Sequence, residues 1–470
     1  MASPITFGIE LEFNIAYLYE GQKMPDPNET RQIFFPITSE AEESVKRGYE
    51  EEWGTDIPRH FSAMLKELPL VKSLQYEVRD TLISLGCTVT EPRVFGGDPA
   101  AWEVSHDDSI RPTDGTGYNW FGMEINSPAL LFTPASLDLI VKVCTTITEK
   151  YLTDPNATCG VHVHLSAGKT TLEFRTMQKL FVFLWSFEHQ MSSLHPEERQ
   201  TNDYCRSLRV QSRLVDDFCE RWGEAPSILQ GIIEFNNCED MLSLLRLAEC
   251  FQQSRYMAFN CSNALNTVQN PNQSSKPTIE FRQHAGTLDG ERLVNWVKLI
   301  AGLVHRLETI HPDSLSELLK LVEFETWEKT RNEKHNKIFQ KAEGSIPAES
   351  ALTIIDLLEY LGLKESADYY RDRLFEVAGR DTRYRPDVFN WNGIAHEESR
   401  GSDTSVEALE AEKAGMMKVF QSIMLVGAAS EEEDGGRLNF NSTDQLWSLI
   451  TREDGEQHER SGFYAPHPFR

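Results

Sequence analysis

The stretch Cys159-Gly160-Val161-His162-Val163-His164-Leu165-Ser166 alternates apolar and polar residues. As a β-strand it places His162 and His164 on one face and Val161, Val163 and Leu165 on the other. Two imidazoles so spaced can enter one pocket as metal ligands or anion contacts, or they can be solvated side chains on a polar face. Three other stretches repeat the pattern with carboxylates. ITFGIELEFN (residues 5–14) sets Gly8, Glu10 and Glu12 against Ile9, Leu11 and Phe13. Two carboxylates on one face repel unless a cation lies between them, and hard oxygen ligands suit Mg²⁺. The alternative is an edge strand with a solvated acidic face. FGMEINSP (residues 121–128) pairs Glu124 with Asn126, and TIEFRQH (residues 278–284) aligns Thr278, Glu280, Arg282 and His284. An acid and an arginine two apart can bind a metal and the phosphate it bridges, or form a cross-strand ion pair. Side by side in one sheet, the four strands would line a channel suited to two or more divalent ions holding nucleotide phosphates.

The elements that must position these groups follow from periodicity and caps. Residues 15–58, with Pro25, Pro27 and Pro36, read as a long insertion. The spacing of Phe61, Met64, Leu65, Leu68, Val71, Leu74, Val78 and Leu82 predicts an amphipathic helix over about 60–86, broken or kinked by Pro69. Thr133 with Pro134 starts a helix that runs to about Leu152. Gly168-Lys169-Thr170 is not a phosphate-binding loop, because the glycine that such a loop needs five residues before Gly168 is Val163. Thr170 and Glu173 are assigned to a capping box before a helix over about 171–193, whose stripe of Phe174, Phe181, Phe183, Trp185 and Phe187 reads as core. Asp289 caps a long helix carrying Leu293, Trp296, Val297, Ile300, Val304 and Leu307. Beyond about 310, short helices are expected near 313–323, 350–361 and 364–377, with polar or acidic linkers at 397–412 and 429–437.

The 470 residues carry a net charge of −27, which argues against a nucleic-acid backbone or an anionic membrane as partner. The eight cysteines form no CxxC pair and suit buried, reduced thiols. No run of about 18 apolar residues marks a membrane span, and the N-terminus lacks the pattern of a signal peptide. These features predict a cytosolic protein.

Seven pieces, GIELEF, WEVSHDDS, EINSPAL, CGVHVHLS, PEERQTNDYC, RYMAFN and TIEFRQHAGT, occur in that order over about residues 5–307. In this the chain resembles the amidoligase family, carboxylate–amine ligases sharing the catalytic fold of glutamine synthetase and glutamate–cysteine ligase. The resemblance implies an α+β fold, with a curved, mostly antiparallel catalytic sheet and helices packed outside. It does not extend to 311–470, read here as a mainly helical C-terminal extension after a catalytic domain of residues 1–310. It implies ATP and Mg²⁺, or Mn²⁺, as cofactors, with metal ligands at Glu10, Glu12, Glu124 and Glu280. His162 is implied as a metal or phosphate ligand, His164 lies close to nucleotide or substrate, and Arg282 acts on the transferred phosphoryl group. Asp107 or Asp108, of which Asp108 is taken as catalytic, and Arg199 and Asn260 on the cofactor complete the set. The expected substrates are a small-molecule or peptide carboxylate and an amine, joined through an acyl phosphate. A phosphotransferase on the same fold and a non-catalytic nucleotide-binding scaffold are the competing readings. Cys159 is read as a packed small residue, since this chemistry needs no thiol nucleophile.

Overall fold

The computed structural model describes residues 4–19, 21–31, 33–34, 68–91, 100–107, 109–200, 202–223, 225–250, 254–272, 276–316, 318–319 and 354–378. The chain divides into two units, Met1–Ala414 and Gly415–Arg470, and every described residue belongs to the first. Most of the insertion, the linkers after 378 and Asp108 lie outside the described residues.

The elements in order are β1 (Ile5–Leu18), β2 (Ile33–Phe34), α1 (Leu68–Ser84), β3 (Glu103–Ser105), β4 (Asn119–Asn126), β5 (Leu130–Leu131), α2 (Pro134–Lys150), β6 (Thr153–Asp154), β7 (Gly160–Ala167) and α3 (Phe174–Ser192). Then come α4 (Glu197–Gln200), α5 (Leu208–Gln211), α6 (Arg213–Trp222), α7 (Ile228–Asn237), α8 (Met241–Ala248), β8 (Phe259–Asn260), α9 (Ser262–Gln269), β9 (Ile279–Ala285), α10 (Gly290–Thr309), α11 (Ile354–Tyr360) and α12 (Lys364–Ala378). The fold is mixed α+β, built on an open, mostly antiparallel sheet in the order β3-β4-β1-β7-β9-β8. β5 and β6 pair antiparallel with the ends of β1, and β2 pairs with it in parallel. Among the described residues no helix is long and apolar enough to cross a membrane.

Alternation assigns the two faces of the sheet. Phe7, Ile9, Leu11 and Phe13 of β1, Val161, Val163 and Leu165 of β7, Met123 and Ile125 of β4, and Ile279 and Phe281 of β9 join one buried cluster. α2, α3 and α10 add to it Ile140, Val143, Phe181, Trp185, Trp296 and Ile300. Each such side chain contributes roughly 1.5–3 kcal/mol by leaving water. The opposite face is left to the polar residues.

Caps explain where the main helices begin. Thr133, extended at φ −138° and ψ 156°, accepts a hydrogen bond from the Ser136 amide, and Pro134 occupies the first turn. Asp289 accepts from the amides of Glu291 and Arg292 to start α10. The stretch of the expected helix before Leu68 lies outside the described residues, and with it the test of a break or kink at Pro69. Other expectations are corrected. Thr170 donates to the Ala167 carbonyl at 3.0 Å and Glu173 makes no capping bond, so there is no capping box before α3. β1 continues through Leu18, so its last residues belong to the sheet and not to the insertion.

A bulge separates β7 from β9. Val161 lies opposite His284 and Val163 opposite Phe281, which leaves both Arg282 and Gln283 facing His162. The extra residue turns His284 to the apolar side, where its ring lies 5.9 Å from that of Trp296. Burial holds this imidazole down at about 4. His284 therefore does not share a face with Glu280 and Arg282, as simple alternation expects.

α11 and α12 pack on α10: the Tyr360 hydroxyl donates to the Ser314 carbonyl at 3.2 Å, and Leu363 lies against Gly302. Within the helical layer, Gly231 of α7 lies flat on Trp185, whose indole N–H donates to the Ile228 carbonyl at 2.9 Å. A Cβ at Gly231 would overlap the indole ring. Alanine gains about 1 kcal/mol in helix propensity, but overpacking costs about 1–3 kcal/mol or more. Gly231→Ala is thus expected to lower the midpoint of urea unfolding despite alanine's preference for helix.

Candidate functional site

The register of the sheet aligns the polar side chains that the sequence scatters. Across β3, β4 and β1 run Ser105, Glu124 and Glu12; Glu10 faces His162 across β1 and β7; Gly8, His164, Glu280 and Asn260 form a row through β1, β7, β9 and β8. All lie on the face opposite the apolar one, and Glu12, His162, His164, Glu280 and Asn260 are buried there. The Glu10 carboxylate joins the two histidines, with Oε2 at 3.0 Å from His162 Nδ1 and Oε1 at 2.9 Å from His164 Nε2. His162 Nε2 stands 3.5 Å from Glu12, and its Nδ1 stands 3.5 Å from Glu280 and 3.3 Å from Arg282 Nη1. Arg282 Nη1 also donates to Glu280, and its Nε donates to the Tyr204 carbonyl at 3.1 Å. His164 Nδ1 lies 3.1 Å from the Thr278 hydroxyl.

Among the described residues, two groups each bring three ligating atoms within 4.8 Å of one another: Glu10, His164 and Glu280 in one, and Glu12, Asp107 and Glu124 in the other. His162 lies between the groups. Asp107 thus falls in the site; Asp108, taken from sequence as the catalytic acid, lies outside the described residues. The loop that brings Asp107 over the sheet needs Gly122, since a Cβ there would stand 2.8 Å from Ile110 and 3.2 Å from the Asp107 carbonyl. The same loop gives its Arg111 carbonyl to Asn14 Nδ2 at 2.9 Å and covers that end of the polar face. Glu12 and Asn14 are buried, whereas Gly8 and Glu10 are half-buried. A Cβ on Gly8 would stand in ordinary contact with Ser127 and Pro128 at 3.8 Å, so this half-buried end has room for a small side chain, whereas Asn14 is fully covered.

Asn260 and Arg199 sit at the margins. The Asn260 amide is engaged at both ends, donating to Glu280 Oε2 at 2.6 Å and accepting from the Ser262 amide at 2.9 Å. Arg199 is buried beside Gly160 and donates to the Arg282 carbonyl at 2.6 Å. The sequence did not single out the Tyr204 carbonyl, Thr278 as partner of His164, or the Gly160 N–H, which donates to Glu12 Oε2 at 2.6 Å. The first and last are backbone groups, for which residue type carries no signal. Cys159 is packed, with burial foremost and the Glu12 charge behind it pushing the thiol up to about 12.

The electrostatics test whether these residues fit a cation. Burial pushes Glu10 up, but the His164 and His162 imidazoles outweigh it and hold its carboxyl well below the usual range. Burial likewise opposes the His164 imidazolium, yet Glu10 and Glu280 raise it above its ordinary value. Glu124 has no such partner. Burial, then the charges of Glu10, Glu12 and Asp107, against the Asn126 hydrogen bond, push it up to about 8. A cluster that cannot fully ionise on its own, with oxygen donors predominating, fits a hard divalent ion.

A carboxyl whose native value lies above its unfolded value near 4.5 penalises the folded state increasingly as pH rises toward 8. In chelator at pH 8, Glu124→Gln is therefore expected to melt at a higher temperature than the unaltered protein. Mg²⁺ should stabilise the unaltered protein and leave the variant much less affected. A variant less stable in chelator would show that Glu124 is a structural acceptor and not a cation ligand.

No curated protein and no solved structure matches the chain. A family model described as putative amidoligase enzyme matches residues 3–304, the span that carries every side chain of the two three-ligand groups. The chain belongs to this amidoligase family.

Proposed function

We propose that the protein is an ATP- and Mg²⁺-dependent carboxylate–amine ligase, forming an amide or isopeptide bond through an acyl phosphate on a glutamine synthetase-like sheet. The observation that carries this reading is the pair of three-ligand groups flanking His162, with one guanidinium, Arg282, held beside them. Membership of the amidoligase family supports the ligase class.

A carboxylate is a poor acyl donor until ATP converts it to an acyl phosphate. Glu10, His164 and Glu280 on one side, and Glu12, Asp107 and Glu124 on the other, would hold the divalent ions. Such ions neutralise the phosphates and polarise the γ-phosphoryl group. The nucleotide would enter at the less buried end of the face, where Gly8 and Glu10 are half-buried. A carboxylate oxygen of the acid attacks the γ-phosphorus and the bond to ADP breaks. Arg282 stabilises the charge on the moving phosphoryl group; its Nε is fixed by the Tyr204 carbonyl, so the fork is oriented before the reaction begins. The amine then attacks the acyl carbon and inorganic phosphate leaves. The amine's proton passes to His164 or to a carboxylate beside it.

The test is a screen of amino acids and small peptides, in pairs, for ADP production. ADP that appears only when an acid and an amine are both present supports the ligase. ADP formed with one co-substrate alone indicates phosphotransfer. Calorimetry should show ATP binding with Mg²⁺ or Mn²⁺ and little in chelator; equal affinity in both would overturn the metal reading. Arg282→Lys keeps the charge but loses the planar fork, so turnover is expected to fall by roughly 10²-fold with a smaller effect on ATP affinity. Full activity in the lysine variant would reduce Arg282 to an ion-pair partner of Glu280.

A further inference from the structure

We propose that Arg199 is a positioning residue for Arg282: it holds the backbone of the β9 bulge in the register that turns the Arg282 guanidinium onto the polar face. The proposal rests on the role given to Arg282 above.

Arg282 lies at the bulge with β7 and at the end of the ladder with β8, where backbone groups need other partners. Its N–H still donates to the Ala258 carbonyl opposite it at 2.9 Å, but the Ala258 N–H donates to the Arg206 carbonyl at 2.8 Å instead of returning the bond. The Arg282 carbonyl accepts from Arg199 Nη2 at 2.6 Å in its place. Without Arg199 that carbonyl would lose this charge-assisted bond in a buried place, and the bulge would lose what fixes it. Arg199 is only 4% exposed. It reaches the carbonyl from α4, whose start is set by the Arg199 N–H donating to the Pro196 carbonyl at 3.0 Å. Gly160 gives it room: a Cβ there would stand 2.9 Å from Arg199 Nη2 and 2.9 Å from His162 Nε2. Arg199 Nε is buried, and the side chain lines a small cavity with Glu188, Ser192, His195 and Gln283. One donor of the guanidinium is thus engaged by the backbone beneath Arg282, while its buried Nε makes no hydrogen bond among the described residues.

Three variants test this: Arg199→Met, which keeps bulk without a donor; Arg199→Lys, which restores one donor; and Gly160→Ala, which crowds Arg199 from β7. Arg199→Met is expected to cut turnover about 10-fold or more while changing Mg²⁺–ATP affinity less than about twofold, with partial recovery in Arg199→Lys. In an Arg282→Ala background the methionine change should cost nothing further, since two residues acting as a unit are not additive. A loss of Mg²⁺–ATP affinity with turnover intact, or effects that multiply in the double variant, would overturn the proposal. A second measurement does not need turnover. With ¹⁵N-arginine labelling, the Arg282 Nε–H, identified by its absence in Arg282→Lys, should exchange slowly in the unaltered protein and fast in Arg199→Met and Gly160→Ala. An unchanged signal in variants that fold overturns the positioning role whatever the activity. A lost signal in a protein without ligase activity overturns the ligase reading and supports the positioning role.

Discussion

Mutual repulsion of carboxylates on one face of a sheet is the constraint to which the rest of this molecule answers. Glu10, Glu12, Glu124, Glu280 and Asp107 are drawn from four segments and converge within a few ångströms. Two imidazoles and a guanidinium relieve part of the charge, and Glu10 is the carboxyl that benefits most. Glu124 is left with its proton held against the surrounding charge. A fold that accepts such a cost at its centre has a use for it, and on the function proposed above that use is to hold a multivalent cation, for which oxygen donors are suited.

The apolar face makes that cost bearable. Every strand that contributes an acid or imidazole also contributes two to five side chains to the cluster under α2, α3 and α10. Anchoring and display are two readings of one period-two pattern, so neither can shift without the other. The helical layer does more than cover the sheet. Glu188, just past the non-helical Phe187 in α3, accepts hydrogen bonds from the Ser207 hydroxyl and the amides of Leu208 and Arg209. This ties down the start of α5, beside the segment that presents the Tyr204 carbonyl to Arg282.

Most of this was legible in the sequence wherever alternation ran unbroken. Glu10 and Glu12 share a face because nothing interrupts their strand, and His162 with His164 and Glu280 with Arg282 share theirs because the bulge shifts register only beyond Arg282. The pattern failed at His284 because a bulge is a property of register between two strands, and neither strand announces it alone. Asp107 could be narrowed only to a pair, since a short strand running into a loop has no period to fix which carboxylate turns inward. Arg199 and Asn260 were legible as polar residues near the site but not in their contacts, because what they bind is a backbone carbonyl in one case and a carboxylate already in use in the other. The Thr170–Glu173 pair failed for a related reason: a residue's meaning at a helix start depends on which turn it occupies.

The position of β1 has a consequence during synthesis. It is the central strand and the first to leave the ribosome, yet Glu10 meets His162 only 152 residues later. At typical elongation rates the strand waits on the order of 10 s for its partner. A 14-residue strand with Phe7, Ile9, Leu11, Phe13 and Ile15 on one side is a template for intermolecular pairing during that time. Glu10 and Glu12 interrupt it with charge at alternate positions, as gatekeeper residues do in nascent strands. The carboxylates that converge in the finished sheet thus also keep neighbouring nascent chains apart until the sheet can close.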